Sequence, residues 1–304
     1  MDLGNAITKV GVEGRYFSFD SAIDELSNSN WRKPEMIVDF KGVSTVVGEG
    51  VIEIENKKSD KTSTIPLVLA GLGRALGELK NASVYLAVGL PIGQFKENKD
   101  YFREYLKYEL CGDSKDKKTC EFTFNGVDKK VVIEDIYVFA EGLGAFVALN
   151  VDKGVMLDVG SKTTEMFLFD RGVVNPLTEY KGVLDIYKAI ATDLSNKLYC
   201  DFEIEEIPNI IKAGYVLNYG EKIDISDSLE EAKKIVKKIY TRLNLNYQIS
   251  KYPVYLTGGG AYFFGEILKE NNIPDLIVNE DLFLNVKGYE KILMDRVNKA
   301  LFNS

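Results

Sequence analysis

The chain of 304 residues contains no histidine. That removes Ser-His-Asp and Cys-His nucleophilic chemistry, imidazole metal ligands and an imidazole base. Any reaction must then rest on carboxylates, lysines, hydroxyls and a hard cation. Cysteine is scarce: Cys111, Cys120 and Cys200 show no metal-ligand spacing. An odd number of thiols without an export signal at Met1 reads as free thiols in a reducing compartment. No apolar run reaches the roughly 18 residues that a bilayer span needs, so a cytoplasmic, membrane-free protein is expected. Positive charge is also in deficit, with 38 Lys and Arg against 46 Asp and Glu for a formal net charge of −8. Such a balance argues against a broad electrostatic grip on nucleic acid. What is present is a hydrophobic content of 45%, ample for two compact lobes with their own cores.

The most informative stretch is 155–171, Val-Met-Leu-Asp-Val-Gly-Ser-Lys-Thr-Thr-Glu-Met-Phe-Leu-Phe-Asp-Arg. An apolar strand breaks at Asp158-Val159-Gly160 into a polar turn and re-enters an apolar strand, which predicts a hairpin with one carboxylate and a row of hydroxyls at its tip. Turn amides and the side chains of Ser161, Thr163 and Thr164 are donors suited to phosphate oxygens. Asp158 repels a phosphate and suits a divalent cation. An Asp-x-Gly turn is also ordinary hairpin chemistry. The chain opens on a second copy, however: at a constant offset of 156 residues, about half the chain, Asp2 matches Asp158, Gly4 matches Gly160, Thr8 matches Thr164 and Arg15 matches Arg171. A repeat at half the length predicts two similar domains holding one anionic ligand between them.

Strands are expected at 15–19, 36–40, 43–47 and 51–55, followed by a charged turn, Lys57-Lys58-Ser59-Asp60-Lys61, read as a solvated loop. The spacing of Leu69, Leu72, Leu76 and Leu79 predicts a helix over 65–79, where Gly71, Gly73 and Gly77 either weaken it or admit another element. A doubly buried strand over 82–90, a helix over 98–110 with core aromatics, a charged loop at 113–118, and strands over 121–124 and 130–138 come next. The stretch 139–149 reads as a Gly/Ala-rich helix with Glu141 near its start, where a carboxylate suits either the macrodipole or the orientation of a water. Beyond the second hairpin a strand is expected at 173–180, a helix at 183–198, short mixed elements over 199–225, and a helix from an N-cap at Ser228 to about 243. A buried strand then ends in Gly258-Gly259-Gly260 before a helix through Leu268, a turn that lets a ligand approach the backbone.

Together these motifs resemble the actin-like ATPase superfamily, the group of actin, the heat-shock chaperone ATPase domains and the sugar kinases. Its first phosphate motif corresponds to residues 2–9, the first connecting helix to 141–145, the second phosphate motif to 158–165, the adenosine motif to 256–261, and the second connecting helix to Phe283-Leu284-Asn285-Val286-Lys287-Gly288-Tyr289. That last segment is similar to a signature of plasmid-partition actins of the ParM/StbA type. Two departures stand out: only Met1 precedes Asp2 where the family has a longer apolar strand, and Glu165 stands where the family usually has Asp. The resemblance implies an α/β actin-like (ribonuclease-H-like, duplicated) fold. Domain I would be 1–145 completed by a C-terminal helix 287–304, and domain II would be 146–286 with a small subdomain inserted over 183–245.

It further implies ATP/ADP, with GTP as an alternative, bound with Mg²⁺ that Asp2 and Asp158 hold through waters. Lys9 would neutralise phosphate charge. Gly4, Asn5, Thr8, Gly160, Ser161 and Thr163 would hold oxygens, and Lys162 is either a second cation or a solvated turn lysine. Glu141 would position the attacking water. Gly258, Gly259 and Gly260 would admit the nucleotide, with Tyr262 or Phe263 near adenine unless they are core. The implied function is an ATP-hydrolysing filament protein that assembles with itself and segregates plasmid or phage DNA through a DNA-binding adaptor of the ParR type. A small-molecule kinase of the same superfamily is the alternative; it would need a substrate-facing Asp in the first lobe, and none is apparent. A chaperone ATPase is expected to carry a substrate domain, for which too little sequence follows Lys299.

Overall fold

The computed structural model describes the chain except for residues 27–33, 54, 56, 113–117, 171–172, 180, 271–272, 274 and 303–304. Arg171 of the repeat and most of the charged loop at 113–118 therefore lie outside the described residues. The chain divides into two compact units, one formed by 1–151 with 282–304 and the other by 152–281.

In the first unit β1 (Asp2–Leu3), β2 (Ile7–Val12) and β3 (Arg15–Asp20) form an antiparallel sheet. The backbone N–H of Gly89 donates to Met1 O at 3.2 Å, which sets β1 beside β7 (Asn81–Leu90), itself parallel to β9 (Val127–Ala140). The strands β4 (Ile23–Glu25), β5 (Met36–Phe40), β6 (Val43–Val47) and β8 (Thr119–Phe124) complete a six-stranded sheet in the order β4-β6-β5-β8-β9-β7. The expected strand at 51–55 is reduced to an isolated bridge between Val51 and Ile23.

Helices α1 (Thr64–Leu76), α2 (Ile92–Cys111), α3 (Leu143–Ala148) and, from the end of the chain, α8 (Leu284–Phe302) cover these sheets. Of the α1 glycines, Gly71 lies against Met1 and Val10 and Gly73 against the Phe124 ring, so they admit neighbours closely. Buried Leu69 and Leu72 of α1 join Phe102, Leu106 and Leu110 of α2 in one core with Val88, Val131 and Ile136, whereas Leu79, expected on the same face, lies beyond the end of α1 and is exposed.

The second unit has a five-stranded sheet in the order β12-β11-β10-β15-β16, with β10 (Lys153–Val159), β11 (Thr164–Asp170) and β12 (Val173–Glu179) antiparallel, and β15 (Val254–Thr257) and β16 (Leu276–Val278) added in parallel. This is the pattern β3-β2-β1-β7-β9 of the first unit: an antiparallel trio followed by two parallel strands. The helices are α4 (Val183–Leu198), α5 (Ile207–Ala213), α6 (Ser226–Tyr247) and α7 (Ala261–Lys269), with a hairpin of β13 (Tyr215–Asn218) and β14 (Glu221–Asp224). Ile207 of α5 and Val216 of β13 join the same core as α4 and α6. Ser228 is not an N-cap: α6 begins at Ser226, and Ser228 is buried within its first turn. The α6 stripe Ala232, Val236, Ile239, Leu243 and Tyr247 is buried, while Lys234 sits on the solvent side paired with Glu231, as 3.6-residue periodicity requires. Among the described residues no helix is long and apolar enough to cross a membrane.

Candidate functional site: two carboxylate hairpins

The two hairpins share one register. Asp2 faces Lys9 and Leu3 faces Thr8 in the first; Asp158 faces Glu165 and Val159 faces Thr164 in the second. Both therefore close on a four-residue turn, 4–7 and 160–163, with a carboxylate one residue before the last strand residue.

In the first unit that carboxylate is nearly enclosed, Asp2 being 4% exposed. Cross-strand pairing brings Lys9 Nζ to 3.2 Å from Asp2 Oδ2. Burial pushes the Asp2 carboxyl up, but the Lys9 and Lys58 ammonium groups and the Lys9 hydrogen bond outweigh it and hold it below the usual range. Gly4 O accepts from Ser21 Oγ at 2.6 Å, which fixes the turn, and Asn5 Oδ1 accepts from Lys61 Nζ at 2.6 Å. Thr8 departs from its expected role. Position 8 points inward in the β2 alternation, is fully buried, and its hydroxyl lies 2.9 Å from Ser21 Oγ. It braces the turn from below. Its counterpart Thr164 does the same, donating to Lys181 O at 2.8 Å.

The turn at 57–61, expected to be solvated, is the larger correction. Residues Lys58–Asp60 form a 3-10 turn, and Lys58 and Lys61 are 6% and 8% exposed. Lys58 Nζ donates to Gly89 O at 2.9 Å and pairs with Glu141. Glu141 in turn is not in a helix. The β9 strand runs through Ala140, because 138–140 pairs with 88–90 of β7, and α3 starts only at Leu143. Glu141 occupies the turn between them, its N–H held by Leu90 O at 2.7 Å. The amides at the start of α3 are satisfied from α8: Asn285 Oδ1 accepts from Gly142 N at 2.8 Å and from Ala145 N at 3.1 Å.

In the second unit the turn Gly160, Ser161, Lys162 and Thr163 is half-buried, as is Asp158. Its carbonyls are occupied by α4, with Val183 N on Gly160 O at 3.1 Å and Leu184 N on Ser161 O at 2.9 Å. Those contacts clamp the turn. Parallel pairing sets Asp158 beside Thr257, directly ahead of the glycine turn. Gly258 has φ +89°, and a Cβ there would lie 2.5 Å from Asp158 Oδ1, so only glycine leaves the carboxylate its seat. Gly260 packs on Val159 and Val183, whereas Gly259 faces open space. Tyr262 is 63% exposed on the first turn of α7, and Phe263 is half-buried against the core.

Among the described residues no three Cys, Asp or Glu side chains gather into a metal cage. Single carboxylates beside turns rich in amides, hydroxyls and ammonium groups suit a cation that keeps its waters and is bound mostly through phosphate. Lys58 and Lys61 are the buried lysines beside Asp2 and Asn5 that the sequence did not reveal. The one available signal was the basic pair's position directly ahead of α1.

Comparison with known proteins supports the same fold. The family profile described as "Actin like proteins N terminal domain" matches residues 1–144, and that described as "Archaeal actin homologue MreB-like, C-terminal" matches 156–270. A search of curated sequences returns no match. Among solved structures, the archaeal actin homologue Ta0583 matches with TM-score 0.77 and 20% identity over 96% of this chain and 98% of its own. In complex with ADP it matches with 0.72 and 18% over 94% and 96%. The apo psk41 ParM protein matches with TM-score 0.73 and 19% identity over 98% and 97%. A 15-stranded ParM filament from Clostridium botulinum matches with 0.74 and 19% over 96% and 97%. With actin-like profiles over both halves and the duplicated, nearly full-length fold of ParM and archaeal actin homologues, the chain belongs to the actin-like proteins.

Proposed function

We propose that this chain is a Mg²⁺-dependent ATPase that polymerises with itself according to its nucleotide state, and that its filaments segregate plasmid or phage DNA through an adaptor of the ParR type. The observation that carries the reading is the shared hairpin register, which repeats a carboxylate and a four-residue turn in each unit. The ADP complex of the archaeal relative and the filament of the ParM relative support nucleotide binding and self-assembly. The acidic chain fits a protein that leaves the DNA contact to its adaptor.

Bound magnesium would neutralise and orient the terminal phosphates. Asp2 and Asp158 would accept hydrogen bonds from the cation's waters, and Gly4, Asn5, Lys9, Gly160, Ser161, Lys162 and Thr163 would surround the phosphates. Lys61, through Asn5, extends that cationic set. Gly258, Gly259, Gly260 and Tyr262 border the nucleoside. Glu141 orients the attacking water and accepts its hydrogen bond. Glu141→Ala is expected to keep ATP affinity, measured by calorimetry, and to slow phosphate release by roughly 10²-fold or more. A turnover rate equal to the wild type's would remove Glu141 from this role.

A further inference from the structure

We propose that the gap between β2 and β7 in the first unit is a strand-addition site. It takes a short, extended, apolar segment of a partner polypeptide, parallel to β7 and antiparallel to β2. The duplication exposes the gap. In the second unit, residues 153–157 of β10 precede Asp158 and run between β11 and β15. In the first unit only Met1 stands ahead of Asp2, and among the described residues no strand occupies the equivalent space beyond it. β7 accordingly closes the six-stranded sheet and β1 the three-stranded one. A cavity of about 800 Å³ fills the interval, walled by Val10, Gly11 and Val12 of β2 and by 83–87 of β7.

Met1 shows how an added strand would bond. Its nitrogen donates to Ala87 O and its carbonyl accepts from Gly89 N at 3.2 Å, which is parallel pairing opposite Val88. Alternate residues of a strand address the same edge, so Ser83 and Tyr85 turn their N–H and C=O groups toward the gap, as Ala87 turns its N–H. Asp2 addresses the opposite edge, onto Lys9, and the same alternation along β2 turns the Gly11 N–H and C=O into the gap. Both walls therefore carry main-chain donors and acceptors for one further strand. They are also held in place: Glu290 of α8 accepts from Gly14 N at 2.9 Å and from the Tyr16 hydroxyl at 2.6 Å, which pins the turn between β2 and β3 to α8.

The chemistry of the occupant follows from what lies above and below it. Val10 packs on Gly71 of α1, and Gly11 on Val286 of α8. As neighbours on one strand they address opposite faces, so the two helices cover both faces of the gap. Leu72 and Leu76 of α1 and Leu293 and Met294 of α8 line it. A strand covered on both faces needs apolar residues in succession and not only at alternate places. The second unit meets that need with Val155, Met156 and Leu157, all fully buried. Leu157 is the counterpart of Met1, which leaves four places, 153–156, to be matched in the gap. Four residues span about 13 Å of extended chain. Main-chain pairing supplies the affinity of such a strand and the apolar walls its selectivity.

The probe is a fluorescein-labelled tetrapeptide, Lys-Gly-Val-Met, copied from 153–156. Its control carries Asp in place of Val and of Met. Fluorescence anisotropy with the full chain is expected to show saturable binding, about 10-fold or more tighter for the apolar peptide than for the control. Saturating peptide is expected to slow hydrogen exchange at the Gly11, Tyr85 and Ala87 amides by about 10-fold or more, which filling of the cavity without strand pairing would not do. Half-buried Ala75 lines the cavity from α1. Ala75→Trp fills that space and is expected to weaken binding about 10-fold or more. Should this variant fail to fold, a chain with Lys-Gly-Val-Met joined ahead of Met1 serves instead, because the attached segment occupies the gap and excludes the free peptide. Absence of saturable binding, equal binding of the control, unslowed amides, or binding undiminished by a folded variant would each overturn the proposal. A dimer of the peptide-free chain that the peptide dissolves, followed by sedimentation, would assign the gap to a second copy and overturn the partner assignment.

Discussion

Asp2 sits under three influences whose balance is testable. Burial raises its pKa, while Lys9 and Lys58 bring it down past the unfolded value of 3.8. A carboxyl with a depressed folded pKa stabilises the native state above the unfolded value, and that contribution is lost as pH falls through the folded one. The melting temperature should therefore hold its Asp2 contribution down to about pH 4 and lose it below. Lys9→Met should move that loss to higher pH by removing the ammonium 3.2 Å away. Thermal melts from pH 3 to 7 check this; an unmoved acid transition in Lys9→Met would contradict it. At this scale the sequence was readable where chemistry is local. The Asp-x-Gly tips, the turn hydroxyls and the glycine turn could be found because hairpin chemistry depends on adjacent residues. The inward turn of Thr8 follows from strand alternation and could have been read as well. Lys58 and Lys61 could not: their burial depends on Gly89, Glu141 and Asn5, which lie far away in the chain.

The helices α3 and α8 cross where two glycines meet. A Cβ on Gly288 would sit 1.8 Å from Gly144 O, and one on Gly144 2.6 Å from Asn285 O. The segment Leu284-Asn285-Val286-Lys287-Gly288-Tyr289 thus has a physical account: Asn285 caps α3, Val286 packs on Gly11, Gly288 admits the α3 backbone, and Tyr289 stacks on Phe139 at 5.5 Å. Gly288→Ala is expected to destabilise the first unit by about 3 kcal/mol, because backbone cannot retreat as a flexible side chain can. Chemical denaturation measures this, and a loss below about 0.5 kcal/mol would contradict such close packing. Element types were mostly legible from periodicity, as in α4 and α6. The error at 139–149 arose because Val138, Phe139 and Ala140 suit either structure, and pairing with Val88, Gly89 and Leu90 decides for strand. Glu141 consequently stands in a strand-to-helix turn and not at a helix start.

Across the whole molecule, the duplication accounts for most of what the sequence revealed. An offset of half the chain reappears as two units with the same antiparallel trio, the same parallel additions and the same hairpin register. Their separate cores, one built on Val68, Leu69 and Val88 and the other on Leu157, Ile190 and Val236, allow each to fold around its own sheet. Nucleotide state is expected to bias the chain between conformations and so the surfaces through which copies assemble. Light scattering by the purified chain on addition of Mg-ATP tests this most directly. The account predicts a concentration-dependent rise that decays as ATP is consumed. A flat trace at high protein concentration, with ATP instead spent on phosphorylating a small metabolite, would contradict it.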